Sequence, residues 1–265
     1  MTSRPAPAGA ESDESARTFR GAWQALKGAQ KTSKGAPAYS RFVNRPLGRA
    51  LAAAAFVLDR TPNQITVLSA LCTYSALAVI ALVEPVWWAS VLVLLGLTLG
   101  YALDAADGQL ARLRGGGSPQ GEWLDHIVDA GKLGALHLCV AVSWFRFEDR
   151  STSWLLVPLG FQAVATVQFF AILLMDQLRR AHRGTTRAIM SGDGTSTTLY
   201  SLAIVPIDYG TMCVVLGTMA ASTFFLTTYS FLFVCGVLFL AASLPKWYRE
   251  VGALARADVP RPDAE

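Results

Sequence analysis

Apolar residues in this chain gather in long unbroken runs, not in the narrow stripes of a half-exposed helix. The runs are Ile65–Val83, Val86–Leu103, Leu133–Trp144, Trp154–Met175, Tyr209–Ala221 and Phe224–Leu244. A helix that crosses about 30 Å of hydrocarbon needs about 20 residues. The third run reaches that length only by extending back through Gly121–Lys132. The fifth reaches it by starting near Leu199, which takes in Pro206 and Asp208. The pattern predicts an all-α integral membrane protein with six transmembrane helices, forming one domain over residues 61–248.

Polar punctuation agrees with these spans. Thr61 is suited to cap a helix and Pro62 to open it. Glu84-Pro85 reads as a tight turn, followed by Trp87 and Trp88 at the depth where aromatic residues anchor to the interface. Gly115-Gly116-Gly117 breaks the chain after the second span. Ahead of the first span, Arg41, Arg45 and Arg49 recur every four residues and share one helical face. Residues 41–60 therefore predict a juxtamembrane amphipathic helix in the headgroup layer, its basic face toward anionic lipid. Residues 1–40 lack the apolar centre of a signal peptide. Their Pro, Ala, Ser, Gly and charged content predicts a disordered cytoplasmic tail, as does that of residues 249–265.

Composition sharpens the membrane reading. The chain is 52% hydrophobic and 16% charged, against about 25% charged for a typical soluble domain. The net charge of +4 does not point to nucleic acid, because topology accounts for the basic residues. With the N-terminus inside, ten Lys/Arg precede Ile65, and the outside loops hold only Arg146 and Arg150. This positive-inside bias puts both termini and the segment Asp104–Asp129 on the cytoplasmic side of the cell membrane. Cys72, Cys139, Cys213 and Cys235 are scattered through apolar runs and read as packing thiols.

Four acids then stand out at the edge of the hydrocarbon. Each costs roughly 2.5–3.5 kcal/mol to insert uncompensated. Asp104 and Asp107 are three apart, and Asp125 and Asp129 four apart, so each pair shares a face of its own helix. The glycine-rich turn makes the two helices antiparallel neighbours, and the pairs can meet. Four oxygen donors favour a hard cation, Mg²⁺ or Mn²⁺, and two ions suit four carboxylates and a pyrophosphate. Gly108 and Ala111 leave room beside Asp107. Gly121 lies one turn before Asp125, where a phosphate can approach the backbone. Arg112 offers a planar fork to phosphate.

Taken together, Asp104-x2-Asp107-Gly108-x2-Ala111-Arg112-x8-Gly121-x3-Asp125-x3-Asp129 resembles the signature of the CDP-alcohol phosphatidyltransferases, or CDP-alcohol phosphotransferases. All eight positions are present, and Pro62-Asn63-Gln64-Ile65-Thr66 extends the likeness. The resemblance implies a phospholipid-synthesis enzyme. A CDP-alcohol donor, often CDP-diacylglycerol, gives its phosphoryl-alcohol part to an acceptor hydroxyl and CMP leaves. It implies Asp104, Asp107, Asp125 and Asp129 as metal ligands, with Asp129 also the catalytic base. Gly108, Ala111, Arg112 and Gly121 would line the cytidine diphosphate site. It further implies a homodimer with a cavity open to cytoplasm and membrane lipids.

The acceptor is less legible. Lys132, Arg179, Arg180 and Arg183, with Arg187 beyond them, can hold a phosphorylated polyol, yet the inside-charge rule alone also accounts for the arginines. Asp208 reads either as a buried functional acid or as a helix cap. His126 points about 100° away from Asp125 around a helix, which suits packing. An intramembrane prenyltransferase also holds Mg²⁺-pyrophosphate on two Asp-rich helices, but the Gly, Ala and Arg positions argue against it. A cation transporter can use buried acids as an ion path, but the internal repeat common in transporters is absent here.

Overall fold

The structure, a computed structural model, describes residues 18–28, 37–183 and 204–257. Eight α-helices carry these residues: α1 Phe19–Gly28, α2 Arg45–Val57, α3 Pro62–Leu82, α4 Trp87–Leu113, α5 Pro119–Phe147, α6 Leu156–Arg183, α7 Tyr209–Leu216 and α8 Ser222–Ala257. No strand occurs among the described residues. A π-helical turn, Ser40–Asn44, leads into α2. Among the described residues, five helical segments are long and apolar enough to cross a membrane: α3, α4, α5, Thr152–His182 and Ser222–Leu254. Among the described residues of the fifth expected span, the α-helix is α7, which ends at Gly217; residues 199–203 lie outside the described residues.

Local chemistry sets the helix ends. Thr61 Oγ1 accepts from the Gln64 N–H at 3.3 Å while Gln64 Oε1 accepts from the Thr61 N–H at 3.0 Å, a reciprocal cap on α3. Ser118 Oγ accepts from the Gly121 N–H at 3.0 Å, with Pro119 in the first turn of α5. Gly115 and Gly116 reverse the chain between α4 and α5 at φ of 97° and 134°, a region that side chains disfavour. The third span is thus one continuous helix, and it includes Gly121–Lys132 as expected.

Two tail expectations change. Phe19–Gly28, expected to lack structure, is the helix α1. Ala22 and Leu26 are buried on it against a cluster that includes Ala52, Ala53, Leu103, Ala106 and Leu110, and Arg49 stacks over Trp23. The rest of the expected N-terminal tail, residues 1–17 and 29–36, lies outside the described residues. At the other end α8 runs past Arg249 to Ala257, through Pro245. Its extension is tied down by a bidentate pair, Arg179 Nε and Nη2 donating to Glu250 at 2.6 and 2.9 Å. Of residues 41–60, the helix α2 covers Arg45–Val57 and packs on α4, where Gly48 admits Ala105 and Gln109.

The core divides along the spans. Ala76, Leu77, Ile80, Val93, Leu97, Leu136, Val140, Trp144 and Tyr229 form one apolar cluster. On α3 the buried polar residues Thr66, Ser69 and Thr73 come before it, and on antiparallel α4 Asp104 and Asp107 come after it. Both sets therefore lie at the same end of the bundle. The helices approach closely there: a Cβ at Gly100 would overlap Thr73 Oγ1 and press on the Ser69 carbonyl.

Candidate functional site

Asp104 on α4 and Asp125 and Asp129 on α5 come together at that end. Each can offer one carboxylate oxygen such that all three oxygens lie within 4.8 Å of one another, and all three residues are half-buried. The i, i+4 spacing on α5 places Asp125 and Asp129 on one stripe, and α5 packs on α3 beside α4.

Asp107 is held differently. It is 6% exposed, and Thr66 Oγ1 donates to its Oδ2 at 2.6 Å. Asp107 is thus not part of the group of three, and α3 supplies its hydroxyl partner. Thr66 is a site neighbour that the sequence marks only as an early residue of the first span. Ser69, one turn later, is another: its Oγ donates to the Gly100 carbonyl at 2.8 Å and accepts from Lys132 at 3.3 Å.

Lys132, expected to face an acceptor, instead donates to Asp104 Oδ1 at 2.6 Å and to Asp129 Oδ1 at 3.0 Å. Its side chain is 5% exposed. One ammonium therefore pairs with two of the three converging carboxylates. Three carboxylates converging at this depth, with oxygen donors alone, fit a divalent hard cation.

The smaller motif positions line the same region. A Cβ at Gly108 would meet Arg112 Nη1 at 3.5 Å, so the guanidinium folds back across the glycine. A Cβ at Gly121 would meet Asn63 Oδ1 at 3.2 Å and Ser118 Oγ at 3.3 Å, which places Asn63 of α3 against the start of α5. Ala111 and Arg112 are half-buried on the last turns of α4.

Two arginines of the sixth helix, Arg179 and Arg180, have carboxylate partners. Arg179 is bound to Glu250, and Arg180 bridges Glu122 at 2.5 Å and Asp176 at 2.5 Å. These pairs fasten α6 to α8 and to the first turn of α5. Arg183 ends α6, and its side chain and all of Arg187 lie outside the described residues. Asp208 is both buried and a cap: it is 3% exposed, its Oδ1 accepts from the Gly210 N–H at 3.0 Å and its Oδ2 from the Ser40 N–H at 3.1 Å. It fixes the π-helical turn before α2 to the start of α7. His126 lies 3.7 Å from Glu122, on its own helix.

A protein-family model described as CDP-alcohol phosphatidyltransferase matches residues 60–244. No curated protein matches the chain. The matched span covers more than half of the chain, contains α3, α4, α5 and the whole acidic motif, and sets aside the prenyltransferase and transporter readings. By that match the chain belongs to the CDP-alcohol phosphatidyltransferase family.

Proposed function

We propose that this protein transfers a phosphoryl-alcohol group from a CDP-alcohol, CDP-diacylglycerol foremost, to the hydroxyl of a small polyol acceptor and releases CMP. The convergence of Asp104, Asp125 and Asp129 within 4.8 Å carries this reading. Asp107 adds a fourth carboxylate on the next turn of α4. These four acids would hold Mg²⁺ or Mn²⁺, two ions in number, as the oxygen-only donor set favours. Bound metal would neutralise the pyrophosphate and stabilise CMP as a leaving group.

The chain's own residues account for the remaining work. Arg112 binds a donor phosphate through its guanidinium, with Gly108, Ala111 and Gly121 keeping the surface low enough for cytidine diphosphate to approach. Asp129 takes the proton of the acceptor hydroxyl. The acceptor oxygen then bonds to the phosphorus that carries the alcohol, the anhydride P–O bond breaks, and its electron pair leaves with CMP. Alignment of attacker and leaving group is the main requirement of such a step. The basic bias of the inside segments supports a site facing the cytoplasm. A homodimer is the expected assembly.

A product screen tests the reading. Purified protein in lipid nanodiscs is given radiolabelled CDP-diacylglycerol, Mg²⁺ or Mn²⁺ and a panel of polyols and polyol phosphates. A new labelled phosphodiester lipid with stoichiometric CMP is expected. No CMP from any CDP-alcohol, with either metal, would overturn the proposal.

A further inference from the structure

We propose that Lys132 is a resident counter-ion of the carboxylate cluster, which competes with a divalent cation for Asp104 and Asp129. This rests on the metal-binding reading above and adds to it a residue outside the eight-position motif. The ammonium of Lys132 has three protons to donate, and three partners take them: Asp104 Oδ1 at 2.6 Å, Asp129 Oδ1 at 3.0 Å and Ser69 Oγ at 3.3 Å. The side chain is 5% exposed, so little water competes for those bonds.

The oxygens it engages belong to two of the three residues that converge. A cation that bridges Asp104 and Asp129 must therefore share those carboxylates with a buried ammonium or expel it. Either course weakens metal binding relative to a cluster without the lysine. In return, Lys132 holds the like charges of Asp104 and Asp129 together when no metal is present. Its side-chain bonds couple α4 to α5 and, through Ser69, both of them to α3. The lysine thus sets the concentration at which metal loads and keeps the site assembled below it.

Mn²⁺ titration followed by electron paramagnetic resonance reads this directly. The full chain is used in detergent or nanodiscs, with no nucleotide, as wild type, Lys132→Gln and Lys132→Arg. Hydrogen bonds to charged groups are strong enough that their removal from the competing state should tighten Mn²⁺ binding about tenfold in Lys132→Gln. Lys132→Arg, which keeps the charge, should stay within about threefold of wild type. In chelator, Lys132→Gln should melt below wild type, and saturating Mn²⁺ should close the gap. A folded Lys132→Gln protein that binds Mn²⁺ no more tightly than wild type overturns the inference. Absence of Mn²⁺ binding in folded wild type and all variants overturns the metal reading beneath it. If Lys132→Gln does not fold, Ser69→Ala carries the test. Loss of that one neutral partner should tighten Mn²⁺ binding about threefold, and an unchanged or weaker affinity overturns the proposal.

Discussion

Replacing Thr66 by valine removes one proton donor from the site and almost nothing else. Thr66 and Asp107 are 3% and 6% exposed, on different helices, with Oγ1 and Oδ2 2.6 Å apart. Thr66 Oγ1 also lies 3.2 Å from the Pro62 carbonyl, but a hydroxyl has a single proton and the shorter contact to the carboxylate takes it. Valine keeps the branched shape and leaves a buried carboxylate short of a donor. A hydrogen bond to a charged group contributes about 1.5–3 kcal/mol, and at about 2–4 °C per kcal/mol for a chain of this size that is a melting-temperature loss of about 3–12 °C. Thermal melts in detergent, in chelator, measure it. Thr66→Ser keeps the hydroxyl and should recover most of the loss. In an Asp107→Asn background the same Thr66→Val change should cost far less, because the charged partner is gone. A melting temperature within about 1 °C of wild type, or an equal cost in both backgrounds, would refute the assignment of Thr66 as the partner that stabilises Asp107.

Three further changes probe other parts of the account. Asp129→Asn should leave a folded protein that releases no CMP from CDP-diacylglycerol, and release near the wild-type rate would contradict the base assignment. Gly131→Ala should destabilise by about 1–3 kcal/mol, because the new Cβ would overlap the Tyr74 hydroxyl that donates to the Val128 carbonyl. Tyr74→Phe in the same chain should restore most of that loss in a thermal melt, since the next ring atom lies 3.3 Å from the Cβ; no recovery would contradict the spacing of α3 and α5. Asp208→Ala should cost about 1–2 kcal/mol as a lost cap and speed amide exchange near Ser40 and Gly210, and unchanged exchange at both would refute the tether.

The motif spacing made the meeting of Asp104 with Asp125 and Asp129 legible, because helical periodicity and a glycine turn between the two spans are local properties. The partners of Asp107 and Lys132 were harder to read. Thr66 is 41 positions from Asp107, and only the register of α3 against α4 brings them together. Lys132 stands three residues after Asp129, a spacing that signals an ion pair, but its bond to Asp104 depends on the registers at which α4 and α5 both pack on α3. Arg179 reads as a substrate contact because its partner Glu250 lies in a segment whose composition reads as tail, and Arg180 because Glu122 is 58 positions away, although its i, i+4 partner Asp176 is within reach of the sequence. Composition hid α1 in the same way, although Phe19, Ala22, Trp23 and Leu26 already trace an apolar face. The short α7 had an apolar run too brief to distinguish a span from a helix that stops at Gly217.

Calorimetric titration of CDP into the purified protein tests the central claim most directly, with Mn²⁺ and then with chelator, for wild type and Asp125→Asn. Asp125 is chosen because it belongs to the converging trio and is not an ion-pair partner of Lys132. The account predicts CDP binding that requires Mn²⁺ in wild type and is absent from Asp125→Asn under the same conditions. Equal CDP binding in chelator, or an Asp125→Asn protein that binds CDP like wild type, would contradict a shared carboxylate cage for metal and cytidine diphosphate.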